Sequence, residues 1–148
     1  MQKKCGVCQW ISELKTSPFL IKEFSTGYAV LSKYQYNKGY VLFLCKNHVT
    51  ELHELKGEVR DKFLHELALV GEAIFKTVKP AKMNYELLGN TEPHLHCHLI
   101  PRYKEERSPD RPVWVVKKNI RQSKKYMLNE KDVQKLRSKI LGNLEALS

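Results

Sequence analysis

Three of the chain's six histidines, His94, His96 and His98, occupy alternate positions of one short stretch, PHLHCHLIPR, at residues 93–102. On an extended strand, residues two apart project from the same side. The three imidazoles are therefore expected to share one face while Leu95, Cys97 and Leu99 enter the core. Imidazoles titrate near neutral pH, and clustering them points to chemistry of one of two kinds. His-x-His pairs on strands ligate zinc or iron. Alternatively, a neutral imidazole nitrogen attacks phosphorus while its other nitrogen donates to a carbonyl, and neighbouring rings hold the phosphate oxygens. The surroundings favour the second. Asn90, Thr91 and the turn backbone precede the triad as donors for phosphate, and Arg102 follows it. From 101 to 125, nine Lys and Arg stand against three acidic residues, within a net charge of +10 for the chain. A field of that sign suits an anionic substrate or nucleic acid; it is equally the composition of a plain solvated surface.

A second group with chemical potential is Cys5 and Cys8, a Cys-x-x-Cys. Alone it is a redox pair, half a metal site, or neither. The βα setting of a thioredoxin-type motif is missing around it, and a zinc site needs two further ligands. Cys45 and Cys97 lie inside apolar, strand-like runs and read as buried, inert thiols. His53 and His65 fall on solvated helix positions and receive no role.

The elements that must position these residues follow from periodicity. TGYAVLSKYQY and GYVLFLCKNH read as two strands joined at NKG. From Glu58 to Val78 the apolar residues Val59, Phe63, Leu67, Val70, Ile74 and Val78 recur at helical spacing, and Pro80 ends the helix. MNYELLG and HLHCHLIPRY read as neighbouring strands, and PVWVV as a further short strand or an extended lid. A last helix starts at Asn129 as N-cap and carries the stripe Val133, Leu136, Ile140, Leu144, Leu147. This order predicts an α+β fold, an antiparallel sheet with helices on it. A chain of 148 residues fits one domain, and 42% hydrophobic with 28% charged residues is the balance of a globular protein. No apolar run approaches the roughly 20 residues of a membrane span, and MQKKCGVCQW lacks the apolar stretch of a secretory signal. The expectation is a cytoplasmic chain without disulfides.

The sequence HLHCHLIPR resembles the His-φ-His-φ-His-φ-φ pattern (φ, hydrophobic) of the histidine-triad, or HIT, family. LLGNTEPHLHCHLIPRY is similar to its bacterial branch, GYVLFLCKNHVTELHEL to its strand ending in Lys-x-His, and RPVW to a segment of its diadenosine-polyphosphate-hydrolase-like members. The resemblance runs from about Cys5 to Trp114. It implies a HIT-like α+β fold, with a five-stranded antiparallel sheet, a long helix and a C-terminal helix. The expected boundaries are 1–128 for the HIT domain and 129–148 for a helix packed on that domain or on a dimer partner. It also implies a homodimer and an enzyme that hydrolyses or transfers nucleotides at an α-phosphate, acting on dinucleoside polyphosphates or nucleoside phosphoramidates. By position in the motif, His96 corresponds to the nucleophile of a covalent nucleotidyl-histidine intermediate. His98 corresponds to the residue that contacts and orients phosphate, with Asn90 and Thr91 in the phosphate site. Some members hold structural zinc with an N-terminal cysteine pair, the Lys-x-His histidine and the first histidine of the triad; here these are Cys5, Cys8, His48 and His94. Ser32 stands where many members carry the acid that accepts ribose hydroxyls. The competing expectation is a basic, zinc-containing module that binds nucleotide or nucleic acid without turnover, and it is the less favoured one.

Overall fold

The computed structural model describes residues 4–148, so residues 1–3 of the expected 1–128 domain lie outside the described residues. The β-branched and aromatic runs of the sequence form the centre of its sheet. Five strands, β1 (Leu20–Glu23), β2 (Gly27–Leu31), β3 (Val41–Cys45), β4 (Lys82–Glu86) and β5 (His96–Arg102), lie in the order β1-β2-β3-β5-β4. Every neighbouring pair is antiparallel, as expected for the α+β class. One face carries Ala29, Leu31, Val41, Phe43, Cys45, Cys97 and Leu99, and packs against α2 (Gly57–Val78) and α4 (Glu130–Leu147). The Asn129 side chain accepts from the Asp132 amide at 2.8 Å, and Val133, Leu136, Ile140 and Leu144 are buried beneath α4. Helix α2 stops at Lys79, which adopts the left-handed conformation just before Pro80.

The other face is covered at one end by a short helix that the hydrophobic pattern did not announce. Helix α1 (Gly6–Glu13) packs Val7, Trp10 and Ile11 over Val30, Leu42 and Leu44. Cys5 is its N-cap, with Sγ accepting from the Cys8 amide at 3.3 Å. The Cys-x-x-Cys is thus the first turn of a helix.

Three expectations are corrected. The strand expected over TGYAVLSKYQY ends at Leu31, and residues 32–40 form a loop. Gln35 holds that loop, with Nε2 donating to the Ser32 and Tyr40 carbonyls and Oε1 accepting from Gly39 N. These side-chain bonds replace a ladder. PVWVV is neither strand nor lid. It forms a single 3-10 turn at Val113–Val115 after Pro112, followed by the short helix α3 (Lys118–Arg121), since β4 already occupies the far side of β5. Finally, β5 begins at His96, so His94 lies before the strand and not on its face. Among the described residues no helix is long and apolar enough to cross a membrane.

Within α2, Val59 is 44% exposed although it fits the apolar stripe, whereas Glu66 is buried at 5% exposure. Glu66 accepts from the Ser25 hydroxyl at 2.5 Å, the Ser25 amide at 3.3 Å, the Thr26 amide at 3.0 Å and the Thr26 hydroxyl. Burial by itself raises its pKa, but the bonds from Ser25 and Thr26 outweigh it and hold the carboxyl below its ordinary range. The β1–β2 turn is thereby tied to the long helix. Replacing Glu66 with Ala leaves the buried Thr26 amide and hydroxyl without their acceptor. It is expected to lower stability by about 2–4 kcal/mol in denaturant unfolding, more than any single exposed glutamate on α2.

Candidate functional site

Sheet register decides which histidines meet. Pairing of β3 with β5 sets Leu44 opposite His96 and Leu42 opposite His98. Phe43 and Cys97 project to the helical core, so His96 and His98 project to the other face, their ring centroids 5.0 Å apart. His96 is 8% exposed, and its Nδ1 lies 2.6 Å from the His94 carbonyl. A carbonyl only accepts, so Nδ1–H donates. In the neutral form of the ring the lone pair is then on Nε2, on the cleft side.

His98 is fixed from Tyr40, the last residue of the loop before β3, whose hydroxyl lies 2.6 Å from His98 Nδ1. Burial, then His96, then Arg121 lower the His98 pKa to about 4. Burial also raises that of Tyr40. Both groups are neutral at pH 7. With the Tyr40 hydroxyl donating to Nδ1, His98 carries its proton on Nε2, as a neutral donor beside His96.

A cleft of ≈ 430 Å³ opens over these rings and is lined by Asn90, Thr91, His96, His98, Lys118 and Arg121, among others. An adjoining hollow of ≈ 340 Å³ shares His98, Trp114 and Arg121 with it and is walled by Trp10, Tyr34 and Tyr36, with Ser32 at its side. The structure therefore brings all four residues expected at substrate (His96, His98, Asn90 and Thr91) to one cavity. Arg102 is not among its lining residues. It is 4% exposed, pairs with Glu106 at 3.0 Å and donates to Asn84 and the Ser108 carbonyl. Tyr40, Trp10 and Arg121 were not identified from sequence. Tyr40 sits two residues before Leu42, the register partner of His98, so the diagonal cross-strand rule carried a usable signal for it.

His94 takes a different path. It is fully buried, and its Nε2 lies 2.8 Å from the Cys45 carbonyl, to which Nε2–H donates. Nδ1 is then the lone-pair nitrogen. It lies 3.5 Å from both Cys5 Sγ and Cys8 Sγ and 3.2 Å from His48 Nδ1, with Cys8 Sγ to His48 Nδ1 at 3.3 Å. All four ligand atoms lie within 4.8 Å of one another. For a tetrahedral ion with metal–sulfur bonds near 2.3 Å and metal–nitrogen bonds near 2.0 Å, the sulfur–nitrogen edge is roughly 3.5 Å. The donors fit such an ion in kind and spacing, and the Cys45 carbonyl supplies the outer hydrogen bond that fixes a ligating imidazole. Among the described residues neither His96 nor His98 belongs to this group.

Comparison with known proteins agrees with this geometry. The family model for the HIT domain matches residues 15–105. The protein named hit of Bacillus subtilis is 30% identical over 80 residues, 51% of this chain; the chain spans only about half of that relative, 55%. A histidine triad protein from Bradyrhizobium japonicum superposes with a TM-score of 0.74 at 22% identity, covering 84% of this chain and 89% of the other. A zinc-bound histidine triad family protein from Mycobacterium smegmatis gives a TM-score of 0.67 at 16% identity, with 98% of each chain covered. At such identities the solved structures speak for the fold, and the family match spans more than half of the sequence: the chain belongs to the HIT domain family.

Proposed function

We propose that the protein is a nucleotide hydrolase or nucleotidyl transferase acting at an α-phosphate through His96. The observation that carries this reading is the 2.6 Å bond from His96 Nδ1 to the His94 carbonyl. It fixes the tautomer and aims Nε2 into a cleft that also holds His98, Asn90 and Thr91. Nε2 attacks phosphorus as the bond to the leaving group breaks. The phosphate oxygens are met by the neutral Nε2–H of His98 and by Asn90 and Thr91, so charge that grows in the transition state falls on donors already in place. Water then displaces His96 and completes hydrolysis. The aromatic hollow beyond His98 is of a size and polarity for a nucleoside, with Ser32 near the ribose in place of a carboxylate. Dinucleoside polyphosphates and nucleoside phosphoramidates are the two substrate classes of this reading, the first in keeping with the resemblance to the diadenosine-polyphosphate-hydrolase-like branch. The Cys5, Cys8, His48 and His94 group would hold zinc. With four protein ligands the ion has no open position, and its role would be structural.

The test of the chemistry is His96→Ala. Its hydrolysis of adenylate-based substrates should fall on the order of a thousandfold or more, with an unchanged circular dichroism spectrum. An active His96→Ala protein would remove the nucleophile assignment. Metal analysis of purified protein should find about one zinc per chain. Cys8→Ser should lose that metal and melt at a lower temperature, while the unaltered protein should turn over substrate at a rate that brief chelation does not abolish at once.

The state of His98 gives a further check. Its folded pKa of about 4 lies below the ordinary 6.5, so between those values the unfolded chain binds more protons. Stability then rises with pH across that window, and is lost as pH falls from 6.5 towards 4. The contribution is at most roughly 3 kcal/mol. Unfolding measured from pH 7 to pH 4 should show a shallower loss in His98→Gln than in the unaltered protein; equal slopes would place the acid sensitivity elsewhere.

A further inference from the structure

The segment from 106 to 123 follows the residues that match the family model, yet it closes one wall of the cleft. Two contacts pin it there, and two more orient Arg121 within it. Trp114 Nε1 donates to Glu86 Oε2 at 2.9 Å. Its ring meets His98 edge to face at 5.2 Å. The Arg121 guanidinium lies over the same indole at 4.7 Å, and Arg121 Nε donates to the Val116 carbonyl at 2.9 Å. Stacking and one backbone bond thus orient Arg121, while its terminal nitrogens have no hydrogen bond or ion pair among the described residues. Lys118, one turn earlier, lines the same cleft and likewise has no carboxylate partner. The carboxylate that belongs to the cleft lining, Glu92, has its oxygens about where a Cβ on Gly6 would touch them, at 3.1 Å, against the start of α1.

A guanidinium held in place, its terminal nitrogens without a partner among the described residues, and lining the same cleft as His96 and His98 is a site for anionic oxygen. The α-phosphate already has His98, Asn90 and Thr91 about it. We propose that Arg121, assisted by Lys118, binds the phosphate next to the α-phosphate. The substrate class is then a nucleotide whose α-phosphate is joined through oxygen to further phosphate, in preference to a phosphoramidate, whose amine gives Arg121 nothing to hold. The inference rests on the nucleotidyl-transfer reading and specifies its leaving group. In the first step the His96 Nε2–phosphorus bond forms and the bridging phosphorus–oxygen bond breaks. The electron pair departs on the bridging oxygen, whose charge Arg121 meets. Water then attacks phosphorus and the pair returns to Nε2. The hydroxyl stays on the nucleotide and one proton goes to solvent.

Calorimetric titration with AMP and with the non-hydrolysable α,β-methylene-ADP separates this from turnover. The unaltered protein should bind the diphosphate analogue about tenfold or more tighter than AMP. Arg121→Gln should bring the two within about twofold of each other while AMP affinity stays within about threefold. Arg121→Lys, which keeps the charge and loses the fork, should restore part of the difference. Equal affinity of the unaltered protein for the two ligands overturns the proposal. So does an Arg121→Gln protein that loses both ligands alike, or an Arg121→Lys protein that restores nothing, since these assign Arg121 to packing on Trp114. If the binding pattern holds but no adenylate substrate is turned over, the phosphate site stands and the nucleotidyl-transfer reading alone fails.

Discussion

Everything around the cleft depends on how His94 is held. The residue is fully buried just before β5, and three of its polar atoms face three different tasks. Nε2–H donates to the Cys45 carbonyl on the neighbouring strand. Nδ1 faces the two thiols and His48. The backbone carbonyl takes the proton of His96 Nδ1. A buried imidazole with an unmet nitrogen is costly, so each bond constrains the next. Were Nε2 to lose the Cys45 carbonyl, the tautomer that presents a lone pair to the thiols would no longer be fixed. Were the backbone at His94 to turn, His96 would lose the acceptor that keeps its own lone pair on Nε2. The cysteine-rich first turn of α1 and the nucleophile candidate are therefore mechanically one unit. The same short helix carries Cys8 and, half a turn on, Trp10, which walls the aromatic hollow. A metal at the four donors would fix the helix that shapes the hollow as well as the strand that carries the chemistry.

What was legible in the sequence followed from local periods. Alternation in HLHCHLI assigned Leu95, Cys97 and Leu99 to the core, and they are buried there, because a strand with the core on one side cannot shift by one residue without exposing that set. The long helix and the last helix were legible from their apolar stripes. His94 departed from the face of His96 and His98 because a strand face ends where pairing ends, and pairing is a property of the neighbour, not of the stretch itself. Helix α1 escaped notice because eight residues barely sustain a helix alone; it stands on the sheet through Val7, Trp10 and Ile11 and on the cap at Cys5. The loop at 32–40 looked like strand because Tyr34, Tyr36 and Tyr40 have strand propensity. Its conformation is set by one glutamine side chain and by Asn37, which donates to the Pro101 carbonyl at 2.9 Å. Glu66 carried a weak signal, an acid on the apolar stripe, but its partners lie 40 and 41 positions away.

The basic run after the triad is where composition says least and geometry most. Nine cations between 101 and 125 invite a single reading, a positive patch, yet they divide by burial and partner. Arg102 is an interior residue, saturated by Glu106, Asn84 and a carbonyl. Arg107, Arg111, Lys117, Lys124 and Lys125 stand exposed on the surface, where salt screens them. Among the described residues, Arg121 alone of these nine is oriented by an indole and has no partner at its terminal nitrogens. The electrostatic character of the cleft is thus set by the few charges in its lining, Arg121, Lys118 and Glu92, not by the net charge of the chain.

That division has a chemical logic. Burial keeps His98 neutral, so it offers a hydrogen bond without a full charge next to His96. In the proposed reaction a cationic His98 there would repel the positive charge that His96 would acquire on bonding to phosphorus, and would lower the basicity of the attacking nitrogen beforehand. The cation proposed to meet a multiply charged phosphate chain is instead the Arg121 guanidinium, which cannot lose its proton. Trp114 touches both, its ring edge to face with His98 and under the Arg121 guanidinium, so one indole sets the position of the cation relative to the imidazole. A neutral His98 beside His96 and a permanent cation on the same cleft are what the proposed attack at one phosphorus and departure of a charged neighbour would jointly demand. The fold obtains that arrangement from a segment that contributes no strand to the sheet.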